Sequence, residues 1–231
     1  MNFKEGLRGG LPIGLGYFSV SLAFGVLASQ GGCTLLEAVL ISMTNLTSAG
    51  QFAGLSVIAA SGTLIEMALT QLVVNARYAL MSIALSQKLH KEFTGKWRWL
   101  LGFAITDEIF AVAVGNPQKI RPSYFAGLAL LPFIGWSAGT FSGAVLGNIL
   151  PEIVTGALGV ALYGMFIAIV TPKAKEDRRI RIIAAASIAL SATFHYTPIL
   201  SKLSGGFAMI ICAVVASAAG ALLFPVKEEE C

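Results

Sequence analysis

Long apolar stretches dominate this sequence and decide what it can fold into. Their approximate bounds are 10–29, 35–60, 62–88, 98–115, 121–147, 151–171, 181–200 and 205–225. Most are close to or above the roughly 20 residues that a helix needs to cross a bilayer. Only 12% of the residues are charged, whereas a soluble domain has about 25%. The sequence therefore predicts an integral membrane protein.

We expect every stretch to be an α-helix, because a helix satisfies its own backbone hydrogen bonds in lipid. A membrane β-barrel would need segments of alternating polarity, and the sequence has none. The predicted fold class is all-α: a polytopic helical bundle of about seven to eight hydrophobic segments. We expect one transmembrane domain over residues 1–231, with membrane lipid around it.

Basic residues gather at the amino terminus and in two short polar segments, 88–98 and 172–181. Such segments face the cytoplasm in multispanning proteins, so the net charge of +4 does not indicate nucleic-acid binding. If every stretch crossed the membrane, neighbouring basic segments would lie on opposite sides. The conflict disappears if one stretch in each half is re-entrant, and glycine-broken stretches are the natural candidates.

A short internal repeat suggests two related halves. The heptapeptide Ser48–Gly54 recurs as Ser137–Gly143, with five of seven positions identical. Transporters often contain two such halves, and glycine-interrupted helices then mark the substrate site. We predict repeat 1 over about 9–97, repeat 2 over about 98–185 and extra helices over about 186–225. Inverted and parallel arrangements both stay open.

The glycines of the repeat also fit close helix packing. For the second copy we favour packing, because Gly139 and Gly143 lie on one helical face. For the first copy, Asn45 and Gln51 add polar groups. There we favour a binding site.

Ionisable residues inside the apolar stretches fall in two places, from Glu66 to Arg77 and at Asp107-Glu108. An unpaired charge at the bilayer centre costs several kcal/mol, so Arg77 needs a partner such as Asp107 or Glu108. These two diverge by about 100° on a helix, which lets one pair while the other takes up a proton. The alternative is an ion pair with a purely structural role.

His195 in the seventh stretch is a second candidate for proton transfer, or a hydrogen-bonded packing residue. Motifs typical of hydrolases, zinc proteases and phosphate loops are absent. The three cysteines are isolated, which indicates neither a disulfide framework nor a metal site. We therefore expect no enzyme activity and no cofactor.

Several motifs, in order and spacing, resemble the AzlC family, the large subunits of bacterial branched-chain amino acid exporters. They are Pro12–Tyr17, Ala23–Ala28, Ser42-Met43, Ala49–Ala53, Asn75-Ala76-Arg77-Tyr78, Leu80-Met81-Ser82, Thr106-Asp107-Glu108 and Leu162–Phe166. The chain departs from the family at Phe18–Ser21, where the family often carries Pro and Gly. This departure bears on the substrate more than on the fold.

The resemblance implies export of Leu, Ile or Val across the bacterial cytoplasmic membrane, together with a small membrane subunit of the AzlD type. A zwitterionic amino acid substrate needs a cation or helix amides for its carboxylate and an acid or carbonyls for its ammonium. The candidate substrate- or ion-binding residues are Asn45, Gly50, Gln51, Phe52, Glu66, Asn75, Arg77, Tyr78, Thr106, Asp107, Glu108 and His195.

Two other functions stay open from the sequence. The chain could be a membrane scaffold or assembly subunit with no solute path, in which case its polar residues would be fully paired. It could also be a channel or transporter for another small solute. The coupling ion, the direction of transport and any homo-oligomer are not determined by these residues.

Overall fold

The computed structural model describes residues 2–147, 149, 153, 167, 170, 171, 174–198, 200, 203 and 205–224. Within them lie nine named helices and no β-strand, which confirms the all-α class. The helices are α1 (Phe3–Gln30), α2 (Leu35–Thr44), α3 (Ala49–Ala59), α4 (Leu64–Ser86), α5 (Gly95–Gly102), α6 (Asp107–Gly115), α7 (Pro122–Leu146), α8 (Arg178–Tyr196) and α9 (Gly205–Leu223). The predicted stretch 151–171 falls largely outside the described residues.

Three helices of the described part, α1, α4 and α7, are long and apolar enough to cross a membrane. The predicted stretches 35–60 and 98–115 are not single helices; each is divided into two short ones. The first break includes Ser48, whose φ of 48° does not fit a right-handed helix. The second break ends at Thr106, which caps α6. The prediction of seven to eight segments is therefore not confirmed.

The chain divides into two compact units. Unit 1 comprises residues 1–52 and 75–159, and unit 2 comprises residues 53–74 and 160–231.

Helices α1 and α7 form the centre of unit 1 and run parallel to each other. Glycines bring their backbones together, since a Cβ atom added to Gly6 would collide with the backbone of Tyr124. Further along the pair, a Cβ on Gly143 would collide with the backbone of Leu22. Small residues permit such close approach in membrane helices. This is the packing role expected for the second copy of the heptapeptide.

The polar segment that follows α4 lies at the same end of unit 1 as the amino terminus. Leu89 pairs with Ile120, two residues before α7, and the first turn of α7 packs against Gly6 of α1. The structure thus brings two of the basic segments to one end of unit 1. That stretch 35–60 does not cross the membrane stays a prediction.

Helices α5 and α6 form a hairpin that packs along α7. Near its start, the Phe93 ring lies 6.0 Å from the ring of Phe125 in the first turn of α7. At its tip, the Phe103 ring lies 6.0 Å from that of Phe133, roughly two turns further along α7. The hairpin then returns, because Lys88 donates to the carbonyl of Asn116 at 3.1 Å. Its tip therefore lies near the middle of α1 and α7.

The two copies of the heptapeptide have different local structures. The first begins at the break before α3, whereas the second lies inside the continuous helix α7. The order of elements instead shows two short helices followed by a long one, first α2, α3, α4 and then α5, α6, α7. The repeats with the bounds expected from the sequence stay a prediction.

In unit 2, helices α8 and α9 pack against each other where Gly220 faces the side chain of Ile183. Their described residues line a cavity of about 620 Å³. Unit 2 also contains the first half of α4, in which Glu66 and Thr70 are buried.

Candidate functional site

The break between α5 and α6 brings two carboxylates to the middle of unit 1. Thr106 ends the break, and its hydroxyl accepts from the backbone N–H of Ile109 at 3.4 Å. This N-cap satisfies one of the four unpaired N–H groups that begin a helix. Asp107 and Glu108 consequently occupy the first turn of α6, where the helix dipole favours negative charge.

Arg77 and Asp107 form an ion pair, with Nη2 and Oδ2 separated by 2.8 Å. The pair is not sealed off, because 45% of the Arg77 side chain and 42% of the Asp107 side chain are exposed. The Arg77 guanidinium also lies 5.1 Å from the centre of the Tyr78 ring, a cation–π distance. The arginine is thus held between a carboxylate and an aromatic face.

Glu108 has a different partner from Asp107. Tyr17 on α1 donates to Glu108 Oε2 at 2.5 Å, and its oxygen also lies 2.7 Å from Thr106 Oγ1. A phenol carries a single proton, so the Thr106 hydroxyl must donate to Tyr17 when Tyr17 donates to Glu108. The Tyr17 ring packs edge-on against Trp136 with centroids 5.2 Å apart. This contact holds the Tyr17 hydroxyl in position next to Glu108.

The break between α2 and α3 lies next to Tyr78, the residue that follows Arg77. Tyr78 donates to the backbone carbonyl of Thr47 at 3.3 Å, and the Thr47 hydroxyl donates to the side chain of Asn45 at 2.9 Å. Two helix breaks and two long helices therefore meet in one group of polar side chains. We call this group the polar cluster; it consists of Tyr17, Asn45, Thr47, Arg77, Tyr78, Thr106, Asp107 and Glu108.

Gln51 and Phe52 lie in a separate buried layer. Gln51 donates to the Ser42 hydroxyl at 2.9 Å, and Ser42 is 2.7 Å from the hydroxyl of Thr140 on α7. The Phe52 ring packs edge-on against Phe24. The structure therefore gives Gln51 and Phe52 packing contacts outside the polar cluster. Gly50 is buried at the start of α3, and its N–H donates to the Thr47 carbonyl of the polar cluster at 3.3 Å.

The remaining predicted site residues are distributed over both units. Asn75 lies half-buried on α4 in unit 1. Glu66 belongs to unit 2 and is 2% exposed. His195 also belongs to unit 2, where it stacks edge-on against Tyr196 and lines the cavity of that unit.

Tyr17 and Thr47 were not among the predicted site residues. Tyr17 ends the Pro12–Tyr17 motif. Its hydroxyl, in the middle of an apolar stretch, is the sequence feature that could have identified it as a site residue. Thr47 contributes through its backbone carbonyl, which no side-chain pattern reveals.

The polar cluster can recognise a zwitterion. Arg77 and the amino end of α6 suit a carboxylate, while Asp107 and Glu108 suit an ammonium group. A metal centre is a poor fit, since no three His, Cys, Asp or Glu side chains come together within the described residues.

Comparisons with known proteins agree with this architecture. The model of the AzlC protein family matches residues 12–150. An Escherichia coli protein named Inner membrane protein YgaZ is 30% identical over 221 residues, which cover 91% of this chain and 87% of the relative. A membrane protein of Archaeoglobus fulgidus is 31% identical over 195 residues, 84% of each chain. No solved structure matches significantly. The chain is thus a multi-pass membrane protein and belongs to the AzlC family.

Proposed function

We propose that this protein is a secondary transporter that exports branched-chain amino acids across the bacterial cytoplasmic membrane. It would act as the large subunit of a two-component exporter, with a small membrane subunit of the AzlD type, and use an ion or proton gradient. The observation that carries this proposal is the Arg77–Asp107 pair at the tip of the α5–α6 hairpin, beside a second carboxylate.

Charge at this depth favours a solute path. Charged side chains within a membrane face the protein interior or a water-filled cavity, and non-helical backbone is tolerated only in the same places. Nearly half of each side chain in the Arg77–Asp107 pair is exposed. A wet pocket next to the pair satisfies both requirements.

The two carboxylates suit different tasks. Asp107 pairs with the guanidinium of Arg77, so it is the candidate for substrate contact through Arg77. Glu108 accepts a hydrogen bond from the neutral phenol of Tyr17 and is the candidate for proton coupling.

The basic segments set the proposed orientation. The amino terminus, with Lys4 and Arg8, and the segment 88–98 lie at one end of unit 1. Positive loops remain in the cytoplasm. The α5–α6 hairpin then enters from the cytoplasm, the compartment from which an exporter takes its substrate.

The test is counterflow of labelled leucine in proteoliposomes that contain the chain and its small subunit. Arg77→Gln and Asp107→Asn are expected to abolish counterflow, whereas Lys91→Gln, an exposed cation of the basic segment, is expected to retain it. The double variant with both substitutions removes the pair without stranding a charge. A well-folded double variant with normal counterflow would mean that the pair is structural, and the proposal would be wrong.

A further inference from the structure

We propose that a cavity of unit 1, between the polar cluster and the basic segment, is the subsite that first receives the carboxylate of the substrate. This inference rests on the proposed transport function and adds a site with its own selectivity. The cavity has a volume of about 240 Å³; we call it the inner cavity. It is lined by Ser82, Leu85, Ser86, Leu89, Phe93, Arg98, Leu101, Gly102, Ile105 and Phe125.

The inner cavity adjoins the polar cluster at one end. Ser82 lies one turn after Tyr78 and donates to its carbonyl at 2.7 Å, and Ile105 directly precedes Thr106. The other end reaches Leu89 and Phe93, in the segment that pairs with Ile120. A solute that moves from the basic end towards Arg77 and Asp107 therefore meets this cavity first.

The chemistry of the lining is simple. Six of the lining side chains are apolar, and Arg98 is the single charged residue among the ten. The hydroxyls of Ser82 and Ser86 are occupied, because they donate to the carbonyls of Tyr78 and Ile83. The wall consequently presents one cation on an apolar surface.

A backbone contact holds the Arg98 side chain at the wall of the inner cavity. Its Nε donates to the carbonyl of Phe93 at 3.3 Å, and its terminal amino groups make no hydrogen bond or ion pair within the described part of the chain. A guanidinium with both terminal nitrogens available binds a carboxylate through two parallel hydrogen bonds.

These properties define the ligand class. The cavity holds the equivalent of about eight waters at ~30 Å³ each, which is the scale of an amino acid with a short side chain. Its lining contains no carboxylate, so nothing there requires an ammonium group. The inner cavity therefore selects a monocarboxylate with a short apolar side chain. The ammonium group of the substrate is recognised only when the substrate reaches Asp107 and Glu108.

A thiol-protection experiment separates this site from the polar cluster. The reporter is Gly102→Cys in a background where Cys33, Cys212 and Cys231 are changed to Ser; a Cβ on Gly102 meets nothing within 4 Å. Leucine and 4-methylpentanoate, which lacks the amino group, are expected to slow the reaction with N-ethylmaleimide. Leucinamide, which lacks the carboxylate, is expected to have no effect.

Two variants identify the cation. Arg98→Gln is expected to raise the concentration for half-maximal protection about tenfold, the loss expected for one charge-assisted hydrogen bond. Lys96→Gln, on the same short helix but outside the cavity lining, is the matched control and is expected to change nothing. Equal protection by leucinamide, or unchanged protection in Arg98→Gln, would overturn the assignment.

The experiment distinguishes failure of the subsite from failure of the proposed function. In the double variant Arg77→Gln/Asp107→Asn, counterflow is expected to stop while protection at Gly102→Cys persists. Normal leucine counterflow without protection would remove the inner cavity as a subsite and leave the transport proposal intact. Protection without counterflow in the unmodified protein would keep the subsite and contradict export.

Discussion

Tyr17 and Glu108 are separated by 91 positions in the sequence, yet a hydrogen bond of 2.5 Å joins them. It ties α1 to the first turn of α6, next to the tip of the α5–α6 hairpin. The phenol ring is fixed by Trp136, and Thr106 contacts the same oxygen. Any movement of the hairpin tip must therefore break or re-form this bond.

Tyr17→Phe removes the donor and keeps the ring. We expect export to fall at least about tenfold, because a hydrogen bond to a charged group contributes about 1.5–3 kcal/mol. Tyr124→Phe is the matched control, since Tyr124 is also buried in unit 1 and its hydroxyl makes no hydrogen bond among the described residues. Initial rates of leucine efflux from vesicles decide the result; equal rates in the two variants would contradict a role for the Tyr17–Glu108 bond.

Glu108→Gln tests proton coupling. Glutamine keeps an acceptor for Tyr17 but cannot take up a proton. We expect leucine efflux driven by a pH gradient to be lost, while leucine counterflow at equal pH on both sides continues. Retention of gradient-driven efflux would exclude Glu108 as the proton carrier. Glu92→Gln, an exposed acid of the basic segment, is the control.

The sequence predicted some of this site and missed other parts for clear physical reasons. The cost of an unpaired charge in lipid was sufficient to expect a carboxylate beside Arg77, and Asp107 lies 2.8 Å away. The same reasoning did not place Tyr17, because a tyrosine in an apolar stretch is compatible with lipid. The positive segments predicted one non-crossing stretch in each half. Stretches 35–60 and 98–115 are each divided into two short helices, and whether either is re-entrant stays a prediction.

The internal heptapeptide was less informative than the charges. Its two copies have five identical positions, but Gly, Ala and Ser serve both close helix packing and helix breaks. Gly139 and Gly143 lie against the α1 backbone, whereas the first copy begins at Ser48, with φ of 48°. Local composition therefore did not distinguish a continuous helix from a broken one.

Gly14→Ala tests the close contact of α1 and α7. The added Cβ would lie 2.7 Å from the carbonyl oxygen of Leu131, and overpacking of this kind costs about 1–3 kcal/mol. We expect a lower Tm in detergent. Gly16→Ala, on the same helix with nothing within 4 Å of the added Cβ, is expected to keep or raise the Tm, because alanine favours a helix over glycine. An equal Tm for both variants would show that the two helices are not in such close contact.

Membrane sidedness provides the last prediction. If stretch 35–60 does not cross, Lys4→Cys and Lys91→Cys should both react with an impermeant maleimide from the cytoplasmic side. Cys33, in the turn after α1, should react from the opposite side. Burial, with a smaller contribution from Glu37, raises the pKa of the Cys33 thiol, so less thiolate is present at neutral pH and its labelling should accelerate as the pH is raised. Measurement uses right-side-out and inverted vesicles with the other cysteines changed to Ser. Labelling of Lys4→Cys and Lys91→Cys from opposite sides would require an odd number of crossings between them and would contradict the re-entrant arrangement.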